Sequence, residues 1–269
     1  MSGDPQSEHY GQDYDYLNES PHLKHRHLYD GLTAAVARSI EASCSTDSPP
    51  EVLEIGAGDG SITEDLLARG YAVTSTDMSS ISIESMKRRF RFDERFRAVH
   101  DPGDLSALAG ARFDAVLFAS VLHHIPDYLS AVENAAGSHL RVGGSLVSIQ
   151  DPLWYPRMEA RTKRVSDAAY MSWRLTQGEL LRGVKTRLRR RFRGLSEEAA
   201  GDAVEYHVVR DGVDEMAISA LLSERFAEVE TLCYWSTQGR LQQRLGERLS
   251  LLNTFAIFAT GFQGLDGSA

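Results

Sequence analysis

Between Glu51 and Asp151 short apolar runs alternate with amphipathic stretches: "EVLEI", "YAVTSTD", "FRAVHD", "FDAVLFAS" and "GSLVSIQD" stand among "SITEDLLARG", "SSISIESMKRRF" and Tyr128 to Leu140. Runs that stay apolar at successive positions suit strands buried on both faces, and helices placed between them supply the cover. This rhythm predicts a doubly wound, mostly parallel α/β sheet. Two further runs, "AEVETLCYWSTQ" and "NTFAIFATGF", bring the expected sheet to seven strands. No strong helical period separates these two, so they read as an antiparallel, hairpin-like finish at the sheet edge, preceded by the helical stretch "VDEMAISALLSERF".

The flanking segments divide the chain. Residues 1–48 read as a helical lid, in which Ser20 caps, Pro21 takes the first turn, and Leu28, Leu32, Val36 and Ile40 share one face. Residues 49–152 form the ligand-binding core. Residues 153–212 break the rhythm: richer in Arg, Trp and Tyr and without a clear strand, they read as a helical cap inserted after the fifth strand. Residues 213–269 then complete the sheet.

Composition narrows the partners. A net charge of −9 among 269 residues gives no general attraction to phosphate backbones or anionic bilayers, so neither nucleic acid nor membrane is expected. The polar, acidic start "MSGDPQSEHYGQDYDYLNES" is unlike a secretory signal, and no apolar run reaches membrane-spanning length. Cys44 and Cys233 stand far apart, outside any Cys-x-x-Cys pair, so two free thiols in a reducing cytoplasm are expected, with no metal site.

The first run ends in "VLEIGAGDGS", Val52 to Ser61, with glycines at 56, 58 and 60. Glycines directly after a buried strand permit a tight turn and let the backbone approach a ligand. A dinucleotide-binding turn would carry its third glycine where Ser61 stands. Glu54, just ahead of the turn, puts negative charge where a pyrophosphate would lie, which favours a cationic or zwitterionic ligand. Its other reading is a buried acid bonded to the loop amides, compatible with the same ligand. Asp77 ends the second run about 20 residues on, where a carboxylate accepts both ribose hydroxyls of a nucleoside, and Asp101 ends the third.

At these strand ends, "EIGAGDG", "TDMS" and "HDPGDL", and on through "FDAVLFASVLHHIPD" and "LRVGGSLVSIQDP", the sequence resembles the class I S-adenosylmethionine-dependent methyltransferases, in particular bacterial small-molecule enzymes. The resemblance covers Val52 to Pro152. It implies a Rossmann-like core, S-adenosyl-L-methionine as cofactor, and Gly56, Ala57 and Gly58 around its methionine part. It further implies Asp77 on the ribose, Met78 against adenine, Asp101 and Pro102 at the adenine amino group, and Ala119 and Ser120 facing the sulfonium. Glu54 belongs to the same cofactor set, and Tyr16, with Tyr10 and Tyr14, would close over the methionine end.

Methyl transfer needs alignment and the exclusion of water, and a hydroxyl acceptor gains further from a base. His123 and His124 follow the fourth strand at its ligand end, and Asp151 ends the fifth, close enough to orient an imidazole. The other reading of "LHHIPD" is a histidine that fixes the loop before Pro126. Tyr206, His207, His22 and His25 are weaker candidates. Trp154 and Tyr155 beside the expected pocket point to an apolar or aromatic acceptor. The stretch "LLRGVKTRLRRRFRGL", basic from Arg182 to Arg193, reads as a solvated amphipathic face or as a recognition element for an anionic acceptor or partner. The expected function is methyl transfer to a hydroxyl of a bacterial secondary metabolite; a carbon or nitrogen acceptor, or a repurposed binder of the same cofactor, stays open, as does oligomeric state.

Overall fold

A computed structural model describes residues 24–44, 48–176 and 211–264. Its sheet has seven strands: β1 (Glu51–Ile55), β2 (Ala72–Asp77), β3 (Phe96–His100), β4 (Phe113–Ala119), β5 (Leu140–Pro152), β6 (Phe226–Tyr234) and β7 (Thr254–Phe262). They lie in the order β3-β2-β1-β4-β5-β7-β6. From β3 to β5 every pairing is parallel, while β7 runs antiparallel to both β5 and β6. The reversal of order between β1 and β4 opens a crevice at the carboxyl edge, where doubly wound sheets receive ligands.

Seven α-helices cover the sheet among the described residues: α1 (Arg26–Glu41), α2 (Ser61–Ala68), α3 (Ser80–Arg89), α4 (Tyr128–His139), α5 (Ala160–Thr176), α6 (Glu215–Ser223) and α7 (Arg240–Arg248). One apolar layer joins Leu32, Val36 and Ile40 of α1, and Ile62, Leu66 and Leu67 of α2, to Val52, Leu117, Val147 and Ile149. The other joins Val132, Ala135 and Ala136 of α4, and Ile218 and Leu222 of α6, to Leu53, Val116, Leu146 and Ile257. Alternate strand residues thus feed opposite layers, as the pleat requires. Ser20 and Pro21 lie outside the described residues; α1 is described from Arg26, with His25 preceding it.

The last two strands pair antiparallel at the sheet edge, as expected, with β7 on the inner side. β7 is apolar on both faces and nearly all buried, so it slots between β5 and β6, leaving the more exposed β6 as the edge. A helix, α7, also intervenes. It buries Gln243 and Gly246, while Leu241 and Leu245 stay 76% and 49% exposed. Gly246 is required there, because a β-carbon would fall 2.1 Å from Trp235 Nε1.

The described residues on either side of 177–210 meet at one point, the end of β5. Leu153 pairs with Val213, the Val213 amide donates to the Pro152 carbonyl (3.0 Å), and the Tyr155 amide to the Asp211 carbonyl (2.7 Å). Arg157 reaches Asp214 at 2.6 Å and Glu215 at 3.0 Å, with its guanidinium 4.4 Å above the Trp154 ring. These bonds form a stem beside the carboxyl edge. The basic stretch 182–193 lies outside the described residues.

Candidate active site

The glycine turn after β1 takes positive φ at all three glycines, 70° at Gly56, 56° at Gly58 and 79° at Gly60. Its amides point back into the protein. Those of Gly56 and Ala57 donate to the Thr76 carbonyl at 2.9 and 3.0 Å, that of Gly58 to Asp77 Oδ2 at 2.8 Å, and that of Gly60 to the Ala57 carbonyl at 2.9 Å. The Ser61 amide, at the start of α2, is taken by Asp59 Oδ1 at 3.0 Å. A phosphate cradle needs such amides aimed outward. This turn spends them internally and surrounds itself with Glu54, Asp59 and Asp77, a setting for a cation.

Glu54 is 1% exposed, and its carboxylate accepts from Thr63 Oγ1 at 2.5 Å and Ser75 Oγ at 3.3 Å. Its partners are therefore hydroxyls on α2 and β2, in place of the loop amides expected as one reading, and it pins α2 to the sheet behind the turn. Burial pushes its carboxyl up to about 7, with Asp59 and Asp77 adding to the rise and the two hydroxyl bonds opposing it.

Asp77 ends β2 with each oxygen fixed by an amide, Oδ2 by Gly58 and Oδ1 by Ser79 at 2.7 Å. These two bonds set the plane of the carboxylate. Met78 beside it is 42% exposed and is held by its own carbonyl, which accepts from His100 Nε2 at 3.0 Å. Asp101 follows β3 and is 2% exposed. Its Oδ1 accepts from the Gly103 amide (2.7 Å) and the Leu105 amide (3.0 Å), whereas its buried Oδ2 has no partner among the described residues. A buried carboxylate oxygen without a donor is costly, and here it leaves a place for a donor from beyond the described residues. Pro102 next to it is exposed.

Ala119 closes β4, and Ser120 turns the chain with φ 56°, its amide held by the Ile149 carbonyl at 2.8 Å. A short 3₁₀ turn, Leu122–His124, then carries both histidines. His123 Nδ1 lies 2.7 Å from Asp151 Oδ1, which also accepts the His123 amide at 3.1 Å. A carboxylate accepts, so Nδ1 carries the hydrogen in this pair. Asp151 is fully buried, and Ser148 Oγ lies 3.4 Å from its other oxygen. The His124 ring stacks beside His123, with centroids 3.9 Å apart. The structure thus joins His123 to Asp151 and places the His124 ring against that of His123.

Residues 53–146 match the family model described as a methyltransferase domain. A ubiquinone biosynthesis O-methyltransferase of Xanthomonas campestris pv. campestris is 33% identical over 100 residues, 35% of this chain and 40% of that protein. The chain thus spans less than half the length of that relative. Among solved structures, the CurJ carbon methyltransferase superposes with TM-score 0.59 at 17% identity, covering 96% of this chain and 61% of that one. A Burkholderia thailandensis 1,6-didemethyltoxoflavin-N1-methyltransferase gives TM-score 0.51 at 18% identity, covering 95% and 84%. Over residues 53–146 the chain is thus similar to a methyltransferase domain, and its fold is that of the methyltransferases it superposes on. At such identities the structural likeness speaks for the fold, while the matched methyltransferase segment runs from β1 into β5 and carries the turn, Asp77, Asp101 and His123.

Several expectations fall elsewhere. Tyr10, Tyr14, Tyr16, His22, Tyr206 and His207 lie outside the described residues. His25 is buried with Nε2 donating to the Thr237 carbonyl at 2.6 Å, and burial lowers its basicity, so it serves as a neutral link between α1 and the end of β6. Trp154 and Tyr155 have ring faces covered by Arg157 and Lys163. Residues that went unnoticed in the sequence of this methyltransferase fold are Thr63 and Ser75, which bind Glu54, Val121, which fills the space above Gly56, and Gln150 and Tyr234 at the ends of β5 and β6. Only Gln150 left a signal: a polar residue closing an apolar run next to Asp151. Among the described residues no group of three metal-ligating side chains gathers, and no helix is long and apolar enough to cross a membrane.

Proposed function

We propose that this chain is an S-adenosylmethionine-dependent methyltransferase that methylates a hydroxyl of a small molecule, a bacterial secondary metabolite, in the cytoplasm. The observation that carries the reading is the His123–Asp151 pair, 2.7 Å apart, standing on the same sheet edge as the acid-lined glycine turn. The residues fit the cofactor. Asp101 Oδ2 lacks the donor that an adenine amino group would provide, Asp77 offers acceptors to ribose hydroxyls, and Glu54, Asp59 and Asp77 supply the negative surroundings a sulfonium favours. Gly56, Ala57 and Gly58, with Ala119, Ser120 and Met78, would line its remaining sides. When bound, the cofactor supplies a methyl group already activated on a positively charged sulfur.

The work left to the chain is positional and acid–base. His123 Nε2 takes the acceptor hydroxyl's proton as its oxygen gains the methyl carbon, and Asp151 stabilises the imidazolium that results. Asp151 is wholly buried and fixes both the ring and the main chain of His123, so the ring does not reorient between turnovers. Water excluded from this edge strengthens each of these charge interactions.

The test has two parts. Calorimetry with S-adenosylhomocysteine and, separately, with NADH asks which ligand the turn takes; binding of NADH alone ends the proposal. Incubation with methyl-labelled cofactor and bacterial extract, read by mass spectrometry, asks for a labelled O-methyl product. A labelled carbon- or nitrogen-methyl product would move the acceptor to the alternative class, and bound cofactor with no labelled product would favour a repurposed binder.

A further inference from the structure

Two donors at the carboxyl edge are buried without an acceptor. Gln150 Nε2 and Tyr234 Oη have no hydrogen-bond partner among the described residues, and their residues are only 6% and 9% exposed. Native proteins keep few such groups, because each loses its water and gains nothing in return. Neither residue belongs to the His123–Asp151 pair or to the cofactor rim.

The backbone around them is built with strain. Gln150 stands at φ 71°, a left-handed position that a non-glycine residue adopts at a cost, and the β5–β7 register shifts between Ile149 and Asp151. Such a bulge turns the side chain out of the strand's alternation. On the neighbouring strand end Ser120 is left-handed as well, with its amide bonded to the carbonyl of Ile149, the residue before Gln150. Strain of this kind persists where the surrounding structure enforces it, and it gathers at functional sites. Tyr234, at the end of β6, packs in the apolar layer that includes Ile149 and α1, within the field of Asp151, with its hydroxyl oxygen facing the main-chain amide of Gln150, a donor that leaves the hydroxyl's own hydrogen without an acceptor. Burial keeps that phenol protonated, hence a donor.

We propose that Gln150 Nε2 and Tyr234 Oη form a two-donor cradle for a carbonyl oxygen of the methyl acceptor. The inference rests on the methyltransferase reading of this edge and narrows its substrate to hydroxylated molecules that also carry a ketone, ester or amide. Both groups donate, so the atom they hold must accept. A neutral carbonyl suits the place better than a carboxylate, because Asp151 repels an anion there.

The experiment uses the full chain with methyl-labelled S-adenosylmethionine and paired probes, hydroxyacetophenones and hydroxybenzamides against ethylphenols and benzylphenols. S-adenosylhomocysteine affinity is measured first on the same preparations. At least tenfold better methylation of a carbonyl-bearing probe than of its partner is expected. Tyr234→Phe and Gln150→Leu should each raise that probe's KM five- to thirtyfold, leave S-adenosylhomocysteine affinity within twofold, and not lower the melting temperature, since each removes an unpaired buried donor. An unchanged KM, no carbonyl preference, no bound or methylated probe, or a marked fall in melting temperature in both variants overturns the cradle. Wild-type protein that fails to bind S-adenosylhomocysteine instead sinks the methyltransferase reading itself, which the other results leave standing.

Discussion

The space a β-carbon would need on Gly56 is already occupied by Val121: Cβ would fall 2.3 Å from Val121 Cγ2 and 3.0 Å from its Cβ. The turn after β1 and the turn after β4 therefore share one volume, so the cofactor loop and the histidine loop are fitted to each other. Gly56→Ala should cost about 2–4 kcal/mol, from overpacking and from a side chain forced to φ 70°. Adding Val121→Ala should recover the packing part and leave about 1 kcal/mol of backbone strain. Urea denaturation of the two variants checks this; a double variant no more stable than Gly56→Ala alone would show that the clash is not what costs.

Asp77 tests the nucleoside reading. Its two amide bonds orient it, so Asp77→Ala should reduce S-adenosylhomocysteine affinity by about a hundredfold, the loss of two charge-assisted hydrogen bonds at about 1.5 kcal/mol each. The melting temperature of the ligand-free protein should change far less. Asp101→Asn, which places an amide group beside the expected adenine amino group, should cost about tenfold or more with adenosyl ligands. With S-inosylhomocysteine, whose ring lacks that amino group, the Asp101→Asn loss should vanish. Calorimetry reads both, and equal losses with the two ligands would remove Asp101 from the adenine subsite.

What was legible in the sequence followed from burial on two faces and from strand ends. β1 to β5 were readable because parallel strands covered by helices must be apolar almost throughout. Asp77, Asp101, His123 and Asp151 stood out as candidates because each lies at or shortly beyond the carboxyl end of a strand run. α7 was not, because it inverts the usual pattern: Gln243 is inside, bonding the Thr237 amide and the Trp235 carbonyl, while the leucines face out. The place of β7 between β5 and β6 was equally hidden, since local pattern does not state strand order. Tyr234 gave no sign because its isolation depends on Gln150, far away in the chain, and on a bulge.

His123 tests the proposed base. His123→Ala should lower kcat by about a hundredfold to ten-thousandfold for a hydroxyl acceptor, with cofactor affinity nearly unchanged. Added imidazole should restore part of the rate to this variant. Asp151→Asn should also slow turnover, because an amide in place of Oδ1 no longer anchors both Nδ1–H and the main-chain amide of His123. Since Asp151 is fully buried, its loss should also lower the melting temperature, whereas that of His123→Ala should fall less. His124→Ala, which removes a ring packed at a tilt against His123, should cost less than tenfold in kcat. Full turnover in both histidine variants would exclude histidine as the base.

Glu54 predicts a pH dependence of stability. Burial raises its carboxyl from 4.5 to about 7, so the folded chain holds this proton more tightly than the unfolded one. Between those two values the folded state binds more protons, and stability falls as pH rises. The penalty is complete above about pH 7 and absent below about pH 4, and a shift of this size is worth on the order of 3 kcal/mol. Glu54→Gln keeps the shape and an acceptor for Thr63 but carries no charge. It should therefore be more stable than wild type at pH 8 by roughly 1–3 kcal/mol, with the gain shrinking to nothing or reversing at pH 5. Urea midpoints at the two pH values measure the difference. A gap that stays constant from pH 5 to pH 8 would mean that Glu54 does not titrate in this window, and with it would go the account of a carboxyl whose proton burial holds up to about pH 7.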